Sequence, residues 1–212
     1  MSAHEPVRES YDDAAEAYAA KFSDSLSKYP MERGLLRSFA ELATEVGGPV
    51  ADVGCGPGHI TAYLSSLGLD AFGVDLSPGM IGQARAANPE LRFEVGSADA
   101  LDVEDASLSG VLSRYAIIHT APQDVPAVLA EFHRVLAPGG HLLISFPGTD
   151  DASQPTQSYD HSVVVAYRWW PDRFSSLLQE AGLEEVGRMI QRASPDAPRP
   201  FPVVDILARR PR

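Results

Sequence analysis

The chain has 212 residues, a formal net charge of −12, 44% hydrophobic residues, 17 glycines, 17 prolines and one cysteine, which fits one globular domain rather than a low-complexity or disulfide-stapled chain. With 29 acidic against 17 basic residues and no Lys/Arg run, nucleic acid and anionic membrane are not expected partners, because both need a concentrated basic surface. The lone Cys55 and the absence of a long apolar run or an apolar signal core in MSAHEPVRESYDDAAEAYAA predict a soluble, unprocessed, cytoplasmic protein.

The first elements are helical: an Ala-rich stretch over Tyr11 to Ala20, then Met31 to Val46, where Leu35, Leu36, Phe39, Leu42, Ala43 and Val46 recur at helical spacing until Gly47-Gly48. The pattern then alternates. Strand candidates at Pro49 to Val53, Ala71 to Val74, Leu91 to Val95, Gly110 to Ala116 and His141 to Phe146 are separated by helices. One carries Ile60, Tyr63, Leu64 and Leu67, another opens at Ser77-Pro78, and a third carries Val125, Val128, Leu129, Phe132 and Leu136. Such βαβ units predict an α/β, doubly wound, Rossmann-like parallel sheet. Beyond Pro147, the polar GTDDASQPTQSYDHS gives no element and Val163 to Trp170 is extended. A helix from Pro171 turns Phe174, Leu177, Leu178 and Ala181 inward. Two strands, Glu184 to Ile190 and Val203 to Ala208, flank the Pro-rich SPDAPRPFP.

The most informative segment is VADVGCGPGH, Val50 to His59, at the first strand-to-helix turn. Glycines 54, 56 and 58 allow close backbone approach to a ligand at a helix N-terminus. A dinucleotide fingerprint would need a small residue at 59, where His stands, which weighs against NAD. Asp75, ending the second strand, can accept both hydroxyls of a ribose, whereas Asp52 beside the loop would repel a phosphate and suits an ammonium or sulfonium. The plainer alternatives are a structural turn and a carboxylate at a helix N-terminus.

Taken together, VADVGCGPGHIT, GVDLSPGMI, GSADAL, SRYAIIH and RVLAPGGHLLIS resemble the class I S-adenosylmethionine-dependent methyltransferases, and small-molecule natural-product enzymes among them. The resemblance runs from Tyr11 to about Leu183 and implies a seven-stranded sheet whose last strand is antiparallel beside the fifth. It implies one methyltransferase domain over 1–212, divided into an N-terminal lid and helix (1–46), a cofactor-binding core (47–146), and a substrate wall with the C-terminal strand pair (147–212). It places Gly54, Cys55 and Gly56 under the methionine part of S-adenosylmethionine, Asp52 at its amino group and Asp75 at the ribose. Leu76 and Met80 flank the adenine, Asp99 accepts from its amine, the amides of Ala98 and Ala100 border the ring, and Arg114 and Tyr115 sit beside the methionine. Ser109 departs from the acidic residue common in such proteins, at a position facing away from the cofactor.

His119, at the mouth of the sheet, is a candidate general base or acceptor-positioning residue, with Tyr115 a second catalytic candidate. Tyr11 and Tyr18 share one helix face, as packing residues or as a lid over the cofactor. His59, His133 and His141 are expected to face solvent and His4 to lie in a loose tail; Tyr167, Trp169 and Trp170 are core or an aromatic substrate wall. SRYA in place of an N/D-P-P-Y tetrapeptide argues against DNA and protein amine methylation, and Arg114-Tyr115-Ala116 supplies no metal ligands, so no metal is expected. A small-molecule acceptor of O, N or C type remains, bound by a monomer or homodimer, its wall drawn from Met1 to Met31 and Gly148 to Trp170. Alternatives are a protein or RNA methyltransferase and a noncatalytic cofactor-binding partner.

Overall fold

The computed structural model describes residues 5–22, 26–161, 164–192 and 201–212; His4 and most of the SPDAPRPFP connection lie outside them. In chain order the elements are α1 (Glu5–Phe22), α2 (Pro30–Val46), β1 (Val50–Val53), α3 (His59–Ser66), β2 (Ala71–Asp75), α4 (Pro78–Ala87), β3 (Arg92–Val95) and β4 (Leu108–Arg114). After a 3₁₀ turn at Ala116–His119 come α5 (Val125–Val135), β5 (Leu136–Pro147), β6 (Thr156–Tyr159), β7 (Ala166–Trp169), α6 (Pro171–Glu180), β8 (Glu184–Gln191) and β9 (Val203–Arg209).

Seven strands form one sheet in the order β3-β2-β1-β4-β5-β9-β8. The first five are parallel, and β9 runs antiparallel between β5 and β8. This is the doubly wound sheet expected. β6, in the segment read as featureless, pairs antiparallel with β7: the strand is polar on both faces, so its sequence has no apolar alternation.

Consecutive strand residues serve opposite layers. On β4, Val111 packs with the α5 face of Val125, Val128, Leu129 and Phe132, and on β5 so do Leu142 and Ile144. Leu112 and Leu143 pack with Leu36, Phe39, Ala40 and Ala43 of α2. Phe39 is fully buried, and Phe39→Ala should cost about 3–5 kcal/mol through lost transfer energy and a residual cavity. Gly47, at φ 78°, ends α2. α1 belongs to neither layer. It lies on α4, where Asp12 Oδ1 accepts from the Ser77 hydroxyl (2.5 Å) and the Gly79 amide (2.8 Å). A Cβ at Gly79 would stand 3.1 Å from the Asp12 Cα, so this glycine lets α1 come close.

Candidate cofactor and acceptor site

The strand order reverses between β1 and β4, and in such sheets the crevice beyond the strand C-termini at that point is where ligands bind. Here it opens into a cavity of about 1010 Å³. Its floor is the loop after β1. Gly54 has φ 77°, and a Cβ there would come within 2.3 Å of the Ala116 Cβ, so only glycine fits beneath the 3₁₀ turn. The Gly54 and Cys55 amides donate to the Val74 carbonyl at 2.7 and 3.1 Å. Cys55 lines the cavity and packs with Ile81, Ala84 and Phe93.

Asp75 organises this loop. Its Oδ2 accepts from the Gly56 amide (2.8 Å) and its Oδ1 from the Ser77 amide (2.9 Å), which leaves each oxygen further acceptor capacity. Burial pushes its pKa up, against those amide bonds. Asp52 is 2% exposed and accepts from the Thr61 hydroxyl at 2.6 Å; burial raises its pKa to about 6, opposed by Thr61 and the nearby Arg114. Leu76, Met80, Ala98 and Asp99 line the cavity, and Asp99 accepts from the Ser97 hydroxyl. Ala100 does not join them. It is exposed, and its amide is turned back onto the Ser97 carbonyl at 3.2 Å; Gly96 and Ser97 border the cavity instead. Ser109, as expected, sits at the far end of β4, its hydroxyl donating to the Gly48 carbonyl.

Two of the histidines expected in solvent are not there. His59 lines the cavity, and its Nδ1 is buried without a hydrogen-bond partner among the described residues. Burial chiefly, with Arg114, lowers its pKa to about 4. His141 is 7% exposed, closed over at the start of the β5 ladder. His133 is partly exposed, with Gly182 packed against its ring.

The far side of the cavity is a polar network. Arg114 reaches Glu32 at 3.1 Å and Ser145 Oγ at 3.3 Å, and the Ser145 hydroxyl donates to Asp205 at 2.6 Å. Burial opposes the Arg114 charge, but Glu32, with Asp205 and Tyr115, outweighs it and the pKa is raised. Tyr115 follows at φ 57°, a left-handed conformation that a bulky residue rarely adopts, with its amide on the Ser145 carbonyl (2.9 Å). His119 Nδ1 lies 2.9 Å from the Val165 carbonyl and Nε2 lies 3.0 Å from the Tyr11 hydroxyl. A carbonyl only accepts, so Nδ1 carries the proton and Nε2 takes the tyrosine hydrogen bond. Burial lowers the His119 pKa, which keeps the ring neutral. Tyr11 and Tyr18 meet edge to face at 6.1 Å, and both line the cavity.

Trp169 is 2% exposed in the main core. Neither it, Trp170 nor Tyr167 lines the cavity; Tyr159, His161 and Phe201 do. Glu32, Thr61 and Asp205 were not singled out from sequence. Asp205 had a legible signal, a carboxylate inside the apolar VVDILA of β9. Glu32 lies in the first turn of α2, where an acidic residue is ordinary.

The fold is that of the class I S-adenosylmethionine-dependent methyltransferases. The family described as "Methyltransferase domain" matches residues 50–140. The chain is 27% identical over 202 residues to demethylmenaquinone methyltransferase of Beutenbergia cavernae, covering 84% of this chain and 82% of that protein. Against several other curated methyltransferases the match spans 50–55% of their length. Among solved structures, the 1,6-didemethyltoxoflavin-N1-methyltransferase of Burkholderia thailandensis, with bound 1,6-didemethyltoxoflavin and S-adenosylhomocysteine, superposes with a TM-score of 0.66 at 25% identity, covering 93% of this chain and 91% of that one. The [4+2]-cyclase SpnF shares the fold at a TM-score of 0.69 and 18% identity, over 84% and 81% of the two chains. No helix among the described residues is long and apolar enough to cross a membrane.

Proposed function

We propose that the protein transfers a methyl group from S-adenosylmethionine to an oxygen, nitrogen or carbon atom of a small-molecule acceptor. The observation that carries this reading is the glycine loop tied by its Gly56 amide to Asp75, with the buried Asp52 beside it. Carboxylates at 52, 75 and 99 around one end of the cavity fit a nucleoside bearing positive charge and would repel a dinucleotide pyrophosphate. Two of the relatives, the demethylmenaquinone and 1,6-didemethyltoxoflavin methyltransferases, add support, their printed acceptors being small molecules.

When bound, the cofactor supplies a sulfonium methyl carbon open to in-line attack, with a neutral thioether as leaving group. The chain's own residues do the rest. Asp75 accepts from the ribose hydroxyls, Leu76 and Met80 flank the adenine, and Asp99 takes its amine with the Ala98 amide at the ring edge. Gly54, Cys55 and Gly56 bed the methionine chain, and Asp52 balances its ammonium. α1 covers the cavity with Tyr11 and Tyr18 and excludes water, which otherwise stabilises the concentrated sulfonium charge more than the dispersed transition state. The Tyr11–His119 pair positions the acceptor, and its proton leaves to solvent after transfer. Arg114, Tyr115 and Ala116 at the end of β4 supply no metal ligands, so turnover should survive prolonged chelation; loss restored by magnesium would overturn that point.

The test has two stages. S-adenosylhomocysteine should bind in calorimetry and NAD should not; the reverse would sink the reading. Incubation with methyl-labelled cofactor and cell extracts should then give a labelled small molecule. The likeness to a [4+2]-cyclase favours one second reading, the same cavity without methyl transfer. Tight cofactor binding with no labelled product from any extract would select it.

A further inference from the structure

Six rings run edge to face along one wall of the cavity. Phe201 meets Tyr159 at 5.1 Å and 67°, and Tyr159 meets His161 at 6.2 Å and 77°. His161 meets His119 at 5.1 Å and 76°, His119 meets Tyr11 at 5.5 Å and 66°, and Tyr11 meets Tyr18. All six line the cavity, and each is only partly buried. Core packing would have closed these rings away from solvent. Instead they come from α1, the 3₁₀ turn, the β6–β7 region and the start of the last strand, and they share one open wall.

We propose that the acceptor is a flat aromatic or heteroaromatic molecule, neutral or anionic, carrying an ionisable N–H or O–H, and that Tyr159, Phe201 and Tyr115 grip its ring. This deepens the methyl-transfer reading and rests on it. Aromatic faces and edges select a flat π-system over a saturated molecule of like size. Rings alone would also suit an ammonium ion, but beside these rings the Arg168 guanidinium already stacks 4.2 Å from the Phe201 centroid and Arg192 lines the cavity, whereas carboxylates 52, 75 and 99 lie at the other end and Glu32 is taken by Arg114. Size agrees too. A cavity of 1010 Å³ stands at the top of the roughly 300–1,000 Å³ range for drug-sized ligands, leaving a share suited to a one- or two-ring molecule once a nucleoside cofactor is in place.

The strained backbone of Tyr115 belongs to the same argument. A bulky side chain at φ 57° persists only where its surroundings over-determine it, and such positions cluster at ligand sites. Ser145 holds its amide, and the side chain lies among the cavity residues.

The experiment uses the full chain, with and without saturating S-adenosylhomocysteine, and three probes measured by calorimetry: 1-naphthol, decahydro-1-naphthol and 1-naphthylmethylamine. 1-Naphthol should bind about tenfold more tightly than the saturated alcohol and more tightly than the amine. Tyr159→Leu and Phe201→Leu should abolish the preference, and Tyr159→Phe should keep it. Should the Leu variants fail to fold, the wild-type ranking and Tyr159→Phe still decide. Equal affinity for the two alcohols, or tightest binding of the amine, would overturn the proposal. S-adenosylhomocysteine binding is read separately. Its absence with the naphthol preference intact would reject the methyl-transfer reading and leave a ring-binding cleft, whereas its presence with no preference would reject the ring assignment alone.

Discussion

The two ends of the cavity are built on different plans. The cofactor end is assembled from β1, β2 and the loops that follow them, with Asp52, Gly54, Gly56 and Asp75 falling within one short run of sequence. Its backbone hydrogen bonds close locally, from Gly54 to Val74 and from Gly56 to Asp75. The acceptor end draws Tyr11, Tyr115, Tyr159 and Phe201 from four distant segments, and its principal ties are long-range, as between Arg114 and Glu32 or His119 and Val165. A local motif preserves one task across many proteins, while a wall made of distant segments can change with each acceptor. This is why the cofactor can be argued to a single compound and the acceptor only to a class.

The comparison breaks first at Asp75. Asp75→Ala would remove the two charge-assisted hydrogen bonds we propose it accepts from the ribose, each worth about 1.5–3 kcal/mol, and it frees the Gly56 and Ser77 amides. S-adenosylhomocysteine affinity should fall at least about 10²-fold, while 1-naphthol binding at the other end should change little. Unchanged cofactor affinity in a folded variant would show that the two ends have been assigned wrongly.

At the acceptor end the corresponding residue is His119. His119→Ala removes both the contact to Val165 and the partner of Tyr11, and kcat should fall by about 10²-fold. His119→Gln can still donate to Val165 through its amide nitrogen and accept from Tyr11 through its oxygen. It should retain more than about a tenth of the rate, with the wild-type pH profile. A large loss in the Gln variant together with disappearance of a pH limb would make His119 the base.

These two residues also mark how far the sequence was legible. The doubly wound, seven-stranded sheet, its antiparallel last strand beside β5 and the carboxylates after β1 and β2 followed from the β-strand and glycine pattern and from the resemblance they support, because βαβ units and the loop after β1 are local in sequence. Ala100 went the other way, since one turn hydrogen bond to Ser97 decides where its amide points. His59 and His141 were placed in solvent because a lone histidine carries no burial signal; it took packing across α3 and β5 to enclose them. The Trp169-Trp170 pair fits core or ligand wall from sequence alone; Trp169 joins the core, and the rings lining the cavity include Tyr159, His161 and Phe201. Only the β6–β7 pairing, invisible as periodicity in a polar segment, reveals that choice.

A smaller effect separates the two ends by pH. With a folded pKa near 6 against an ordinary aspartate value near 3.9, Asp52 binds a proton more tightly folded than unfolded. Its contribution without ligand therefore weakens stability as pH rises from about 4 to 6. A cationic ammonium beside it favours the ionised form, so S-adenosylhomocysteine affinity should rise across the same window, by at most about tenfold per pH unit, and level off above it. Asp75, also raised by burial, adds in the same direction. Asp52→Asn should flatten part of this dependence, stabilise the ligand-free protein at neutral pH and leave naphthol binding unaltered. An unchanged slope in the variant would remove Asp52 from the cofactor site.

The smallest expected effect concerns the helix that touches both ends. α1 places Tyr11 on His119 and Asp12 on the start of α4, yet among its residues only Ala15 is buried. Its hold therefore comes largely from hydrogen bonds worth about 0.5–1.5 kcal/mol each and from ring contacts, few enough for local opening well below global unfolding. Cofactor filling the cavity beneath Tyr11 and Tyr18 adds contacts made only when the helix is down. Amide exchange over Tyr11 to Phe22 should slow when S-adenosylhomocysteine binds, while exchange in α6, none of whose residues line the cavity, stays the same. Asp12→Ala should speed exchange in α1 without ligand and weaken S-adenosylhomocysteine by about three- to tenfold, through loss of the hydrogen bonds its carboxylate accepts from Ser77 and Gly79. Equal exchange in α1 with and without the ligand would make it a fixed wall, with Tyr11 and Tyr18 packing residues in it.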